Sequence, residues 1–166
     1  MIIGLSVGAF TTLHVIISLI GLAAGAAAAG AMLADKKPGP ATAVFLCATI
    51  LTSATGFLFH SARIGPPHIV GAISLVVLAV ACAALYGFRL KGIWRPVYVV
   101  TGLLALYLNA FVGVVQAFDK IAPLKALAPT GSEPPFLVAQ LVVLAAFVAL
   151  GFVAAKRFHP MLAQPA

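Results

Sequence analysis

The chain has 166 residues, of which 63% are hydrophobic and 8% charged, with a formal net charge of +7. A soluble domain carries about 25% charged residues, so this composition excludes a water-exposed surface over most of the chain and makes lipid its principal solvent. The cations lie in short links between apolar runs, with no basic face and no aromatic platform, which argues against a nucleic-acid partner.

Five uncharged runs follow one another, over 1–34, 38–62, 64–88, 96–118 and 134–155. Each supplies the roughly 20 apolar residues that a membrane-spanning helix needs. The expected fold is an all-α bundle of five transmembrane helices, over about 12–34, 41–60, 68–88, 96–117 and 135–155, within a single integral membrane domain, 1–166. The first run lacks a basic n-region and outlasts a normal signal-peptide core, so it reads as a spanning helix. Residues 1–10 would protrude or lie in the interface.

The first helix carries Thr11, His14, Ser18, Gly21 and Gly25 on one face at steps of three and four. Gly21 and Gly25 form a GxxxG continued by Ala29, a pattern that lets a second backbone approach closely. The second helix repeats the theme with Thr49, Thr52, Ser53, Gly56 and His60. The third places His68 and Gly71 above Ala79, Ala83 and Gly87. The fourth aligns Thr101, Asn109 and Gln116, and the fifth aligns Glu133 and Gln140. Cys47 and Cys82 fall inside apolar runs and imply no disulfide framework.

Five spans put the chain ends on opposite sides of the membrane. One side holds Lys36, Lys37, Arg89, Lys91, Arg95, Lys156 and Arg157; the other holds Arg63, Lys120 and Lys125. The positive-inside bias then places the C-terminus in the cytoplasm and the N-terminus outside. Counting about 20 residues at ~1.5 Å each from the basic anchors brings His14, His60 and His68 to one outer level.

Polar side chains in lipid turn toward the bundle. The expected site is therefore an outward-facing polar pocket holding His14, His68, Asn109, Gln116 and Gln140, with Asp119 and Glu133 at its lip. The inner half would be sealed by Leu, Val, Ala and the two cysteines. Three occupants suit such a pocket. Haem b would take two facing imidazoles, His14 and His68. A zinc or copper ion would take His14, His60 and His68 with Glu133 or Asp119. A quinone-like lipid would use imidazole and amide groups over an apolar base. A structural role stands beside these, because amides in membrane helices often join helices. No charge lies deep in a span, which argues against a proton-coupled carrier, and no GxSxG or HExxH motif supports hydrolysis.

The segment between the last two spans, "DKIAPLKALAPTGSEPPF", is broken by Pro123, Pro129, Pro134 and Pro135. "APLKALA" has room for a short turn, Ser132 is placed to cap the last helix, and Leu124, Leu127 and Phe136 are placed to pack the loop over the polar cluster. Together with "LHVIISLIGL", "TGFLF", "YLNAFVGVVQAF" and "AQLVVL", the stretch "LAPTGSEPPF" resembles a group of small, uncharacterised bacterial polytopic membrane proteins with an LAPTxSEPPF-type loop. The resemblance runs from His14 to Phe158. It matches at His14, Arg63, His68, Asn109, Gln116, Glu133 and Gln140, and departs at His60, which favours His14 with His68 over a three-histidine site.

The functional expectation is a bacterial inner-membrane protein that binds a ligand or cofactor, as a small non-catalytic or redox-accessory component. Two alternatives differ in class. One is a structural subunit of a larger membrane complex or homo-oligomer, for which the small-residue faces of the first and third helices argue. The other is a small oligomeric channel or transporter.

Overall fold

The computed structural model describes residues 1–59 and 65–160. Six α-helices occupy them: α1 Val7–Leu33, α2 Pro40–Gly56, α3 Pro66–Cys82, α4 Trp94–Lys120, α5 Ala122–Leu127 and α6 Pro134–Arg157. A π turn, Ala83–Gly87, extends α3. No strand is present among the described residues. α1, α3 with its π turn, α4 and α6 are each long and apolar enough to cross a membrane, whereas α2 is a shorter apolar helix of 17 residues.

The helix starts follow from local chemistry. Ser6 accepts the Ala9 N–H at 3.2 Å and starts α1 ahead of the expected boundary. Ile2 is buried, and Ile2 and Leu5 close a small turn before the helix. Pro40, Pro66 and Pro134 begin their helices, where the missing N–H costs nothing. Ser132 does not cap α6. Glu133 is the N-cap residue, and its carboxylate folds back onto the preceding loop instead.

Paired contacts show that neighbouring helices run antiparallel. Gly25 lies against Phe45, Gly71 against Phe57, and Gly102 against Met32. Phe118 packs edge-on against Phe136 at one end of the α4–α6 interface, and Tyr107 against Phe147 further along it. α4 is central, touching α1, α2, α3, α5 and α6; α6 is peripheral and packs on α4 and α1.

The third helix departs from the expected small-residue face. Ser74, Leu78 and Ala81 are buried, with Ala84 following in the π turn, while Ala79, Ala83 and Gly87 point outward. The loop also differs. Leu127 is exposed, and Ala128 is the buried residue behind α5, which packs on α4.

The apolar core is displaced toward one end of the bundle. It joins Met32, Phe45, Leu78, Tyr98, Leu106 and Phe158, along with smaller neighbours. Arg95 closes this end by donating to the carbonyls of Phe158 and Ala155. Asp35 accepts the His159 N–H at 2.6 Å. Cys47 is exposed rather than sealed within the core.

Candidate functional site

The polar residues of the other half form a seam between α1, α2 and α4. His14 and Ser18 are one helical turn apart on α1, and Thr52 and Thr55 are correspondingly spaced on α2, so antiparallel packing matches them in pairs. The Nδ1 of His14 lies 2.8 Å from Thr55 Oγ1. Ser18 donates to the His14 carbonyl at 2.8 Å and lies 3.3 Å from Thr52 Oγ1. Deeper in the seam, Asn109 Nδ2 makes a long, 3.5 Å bond to the Ser18 carbonyl.

The close approach that allows this seam depends on Gly21. A Cβ there would stand 3.2 Å from Thr49 Oγ1 and 3.3 Å from Asn109 Nδ2. Thr49 is buried, and its hydroxyl has no hydrogen-bond partner among the described residues.

The hydrogen-bond pattern assigns the two imidazoles opposite tautomers. Thr55 has one hydroxyl proton, and it goes to the Leu51 carbonyl at 2.7 Å or the Thr52 carbonyl at 3.2 Å. Its oxygen must therefore accept from His14, which carries its proton on Nδ1 and keeps a lone pair on Nε2. His68 is the reverse. Its Nδ1 accepts the Gly65 N–H at 3.3 Å at the start of α3, so a neutral ring is protonated on Nε2.

This pattern bears on the candidate ligands. Haem and metal ligands are usually oriented through a donor bond from the remaining ring nitrogen. His14 has that arrangement and His68 does not. The two rings also contact different residues, His14 edge-on against Phe59 at 5.2 Å and His68 against Phe57 at 5.8 Å. Among the described residues, no hydrogen bond or ring–ring contact joins them. Thr55 and Phe59 are the partners that sequence reading missed, although their spacing from Thr52 places them on one helical face.

The remaining expected site residues disperse. Gln116 is exposed on α4. Gln140 is buried and donates to the Phe111 carbonyl at 3.2 Å, and its Oε1 has no partner among the described residues. On α4, the row Gly102, Leu106, Asn109 and Gly113 meets α1, whereas Leu103, Tyr107 and Phe111 meet α6. The two buried amides thus belong to different interfaces. His60 and Arg63 lie outside the described residues.

Glu133 belongs to the loop. Its carboxylate accepts from the Thr130 N–H at 3.0 Å, the Thr130 hydroxyl at 2.9 Å and the Ser132 N–H at 3.1 Å. The Thr130 N–H, foremost among these donors, holds the carboxyl down at about 2. Asp119 is paired with Lys120 at 2.8 Å and with Lys125 at 3.0 Å. Among the described residues, no three His, Cys, Asp or Glu side chains converge to hold a metal ion.

Comparison with models of protein families, with curated proteins and with solved structures finds no match to this chain.

Proposed function

We propose that the chain is a five-span integral protein of the bacterial inner membrane, with its histidine-bearing end outward, that binds a lipid-soluble ligand through His14. The supporting observation is the imidazole itself. Thr55 orients it by accepting from Nδ1, Phe59 backs the ring, and Nε2 is left as a fixed acceptor. A hydroxyl-bearing ring compound such as a quinol satisfies that acceptor with one hydrogen bond and sits beside the half-buried Phe59 ring, which packs on the buried Phe10 at a centroid distance of 5.1 Å. Haem and metal ions need further ligands that His68 and Glu133, in their present bonding, do not offer. The protein acts in this reading as a non-catalytic binding or redox-accessory component.

The test is to purify the protein in mild detergent and analyse the solvent-extracted small molecules alongside the visible spectrum. The wild type retains a quinone-class compound, His14→Ala loses it, and Thr55→Val weakens retention while leaving the fold intact. A Soret band that disappears in His14→Ala would replace the quinol with haem. A wild type that carries nothing and gains nothing on incubation with a short-chain quinol would defeat the binding reading.

A structural-subunit reading has one specific support. The small residues Ala79, Ala83 and Gly87 face outward from the end of α3 and leave a backbone open to close approach. In that case the protein copurifies with a second membrane polypeptide, and the association is broken by Ala83→Leu and not by His14→Ala.

A further inference from the structure

At the end of the bundle opposite His14, a cavity of about 430 Å³ opens between the α1–α2 link and the end of α3. Its walls include Pro38, Gly39, Thr42, Ala43, Tyr86 and Arg89. The volume falls in the usual ligand-pocket range of ~300–1,000 Å³. We propose that this cavity binds the phosphodiester headgroup of an anionic phospholipid.

Three features converge on that occupant. The first is charge. The links and helix ends at this end of the bundle carry Lys36, Lys37, Arg89, Lys91, Arg95, Lys156 and Arg157 against a single carboxylate, Asp35. Asp35 is engaged by the His159 backbone, and Arg95 is turned to the Phe158 carbonyl. Arg89 is exposed, lines the cavity, and supplies the guanidinium geometry that fits phosphate oxygens.

The second feature is the way the chain presents Arg89. The π turn ends α3 with the Phe88 N–H bonded to the Ala83 carbonyl at 2.9 Å. Arg89 and Leu90 then adopt φ of 49° and 56°. Leu90 is thereby buried in the core, while the adjacent Arg89 remains at the cavity mouth.

The third feature is the lipid-facing surface below the cavity. Val44, next to the cavity-lining Ala43 on α2, is exposed and apolar, as are Val76 and Val80 on α3. A bound phosphodiester would lay its acyl chains along that surface. Free phosphate has no use for it, and a zwitterionic lipid places a second cation among those already present.

Native mass spectrometry of the intact detergent-solubilised chain provides the test, after incubation with phosphatidylglycerol, phosphatidylcholine or inorganic phosphate. Phosphatidylglycerol is retained preferentially, and inorganic phosphate neither binds nor displaces it. Arg89→Ala lowers retention about fivefold, the effect of one interfacial cation. Ala43→Phe, at an exposed position, fills the cavity without altering charge and produces a comparable loss. Lys156→Ala, at the same end but outside the cavity, leaves retention unchanged. Equal retention of phosphatidylcholine, competition by inorganic phosphate, or insensitivity to either cavity variant overturns the proposal. So does a loss in Lys156→Ala as large as that in Arg89→Ala, because generalised surface charge would then account for binding. The His14 variants do not enter this readout, so the two binding readings fail separately.

Discussion

Gly25 shows how a single missing side chain can set an interface. A Cβ at that position would meet Leu106 and stand 2.8 Å from Phe45 Cδ2, and both neighbours belong to the packed core. Gly30, on the same helix, has nothing within 4 Å of the corresponding position. Gly25→Ala is expected to lower stability by about 1–3 kcal/mol through overpacking. Gly30→Ala is expected to raise it by about 0.5–1 kcal/mol, because alanine holds the helix at a smaller entropic cost. Thermal unfolding in detergent, followed by circular dichroism, measures both. Equal effects in the two variants would mean that helix propensity, and not the α1–α2–α4 contact, dominates at Gly25. The periodicity of Gly21, Gly25 and Ala29 made this face legible in the sequence. The identity of the pressing residues was not legible, because Phe45 and Leu106 arrive from distant segments whose rotation is fixed only by packing. The same limit explains Thr55, which orients His14 although nothing local to either residue announces the pair.

At the scale of elements, Pro40, Pro66 and Pro134 were readable signals, since each opens a helix where its missing N–H costs nothing. Asn109 and Gln140 were harder to place. Both lie on recognisable inward faces, but α4 has two inward faces, and periodicity does not say which amide meets which neighbour. The start of α6 shows a related competition. Ser132 has the chemistry of a cap, yet the carboxylate of Glu133 gathers more donors by turning toward Thr130. The consequence is a pH dependence of defined sign. The folded carboxyl titrates at about 2, below the ordinary glutamate value of ~4.3. Its stabilisation of the loop is therefore fully present above ~4.3 and is lost as pH falls through the folded value. A carbon-13 NMR titration of the Glu133 carboxyl should give a midpoint near 2, while the Thr130 and Ser132 amide shifts follow the same curve. A midpoint near ~4.3 would mean that the loop leaves the carboxylate solvated.

For the whole molecule, the decisive asymmetry is along the bundle axis. One end combines the tight apolar core with seven cations, and the other holds the polar seam and the loop beneath Glu133. Antiparallel packing makes α2 return the chain between the ends, although its 17 residues extend only about 26 Å at 1.5 Å each. A bilayer core of ~30 Å is about 4 Å longer than such a helix, so a complete crossing by α2 would require local thinning or a contribution from the residues that follow Gly56. Cation retention on the cytoplasmic side predicts the orientation. In a background with Cys47 and Cys82 replaced by alanine, Lys36→Cys, Lys91→Cys and Lys156→Cys should resist a membrane-impermeant maleimide in intact bacterial cells and react after permeabilisation. Lys125→Cys and Ser132→Cys should react without permeabilisation. Reversed labelling would invert the proposed orientation and turn the His14 end inward. Labelling that divides Lys36→Cys from Lys91→Cys would place the ends of α1 and α3 on opposite sides, which is incompatible with α2 as a complete crossing. The pattern thus tests the short helix and the direction of the bundle in one experiment, independently of any ligand.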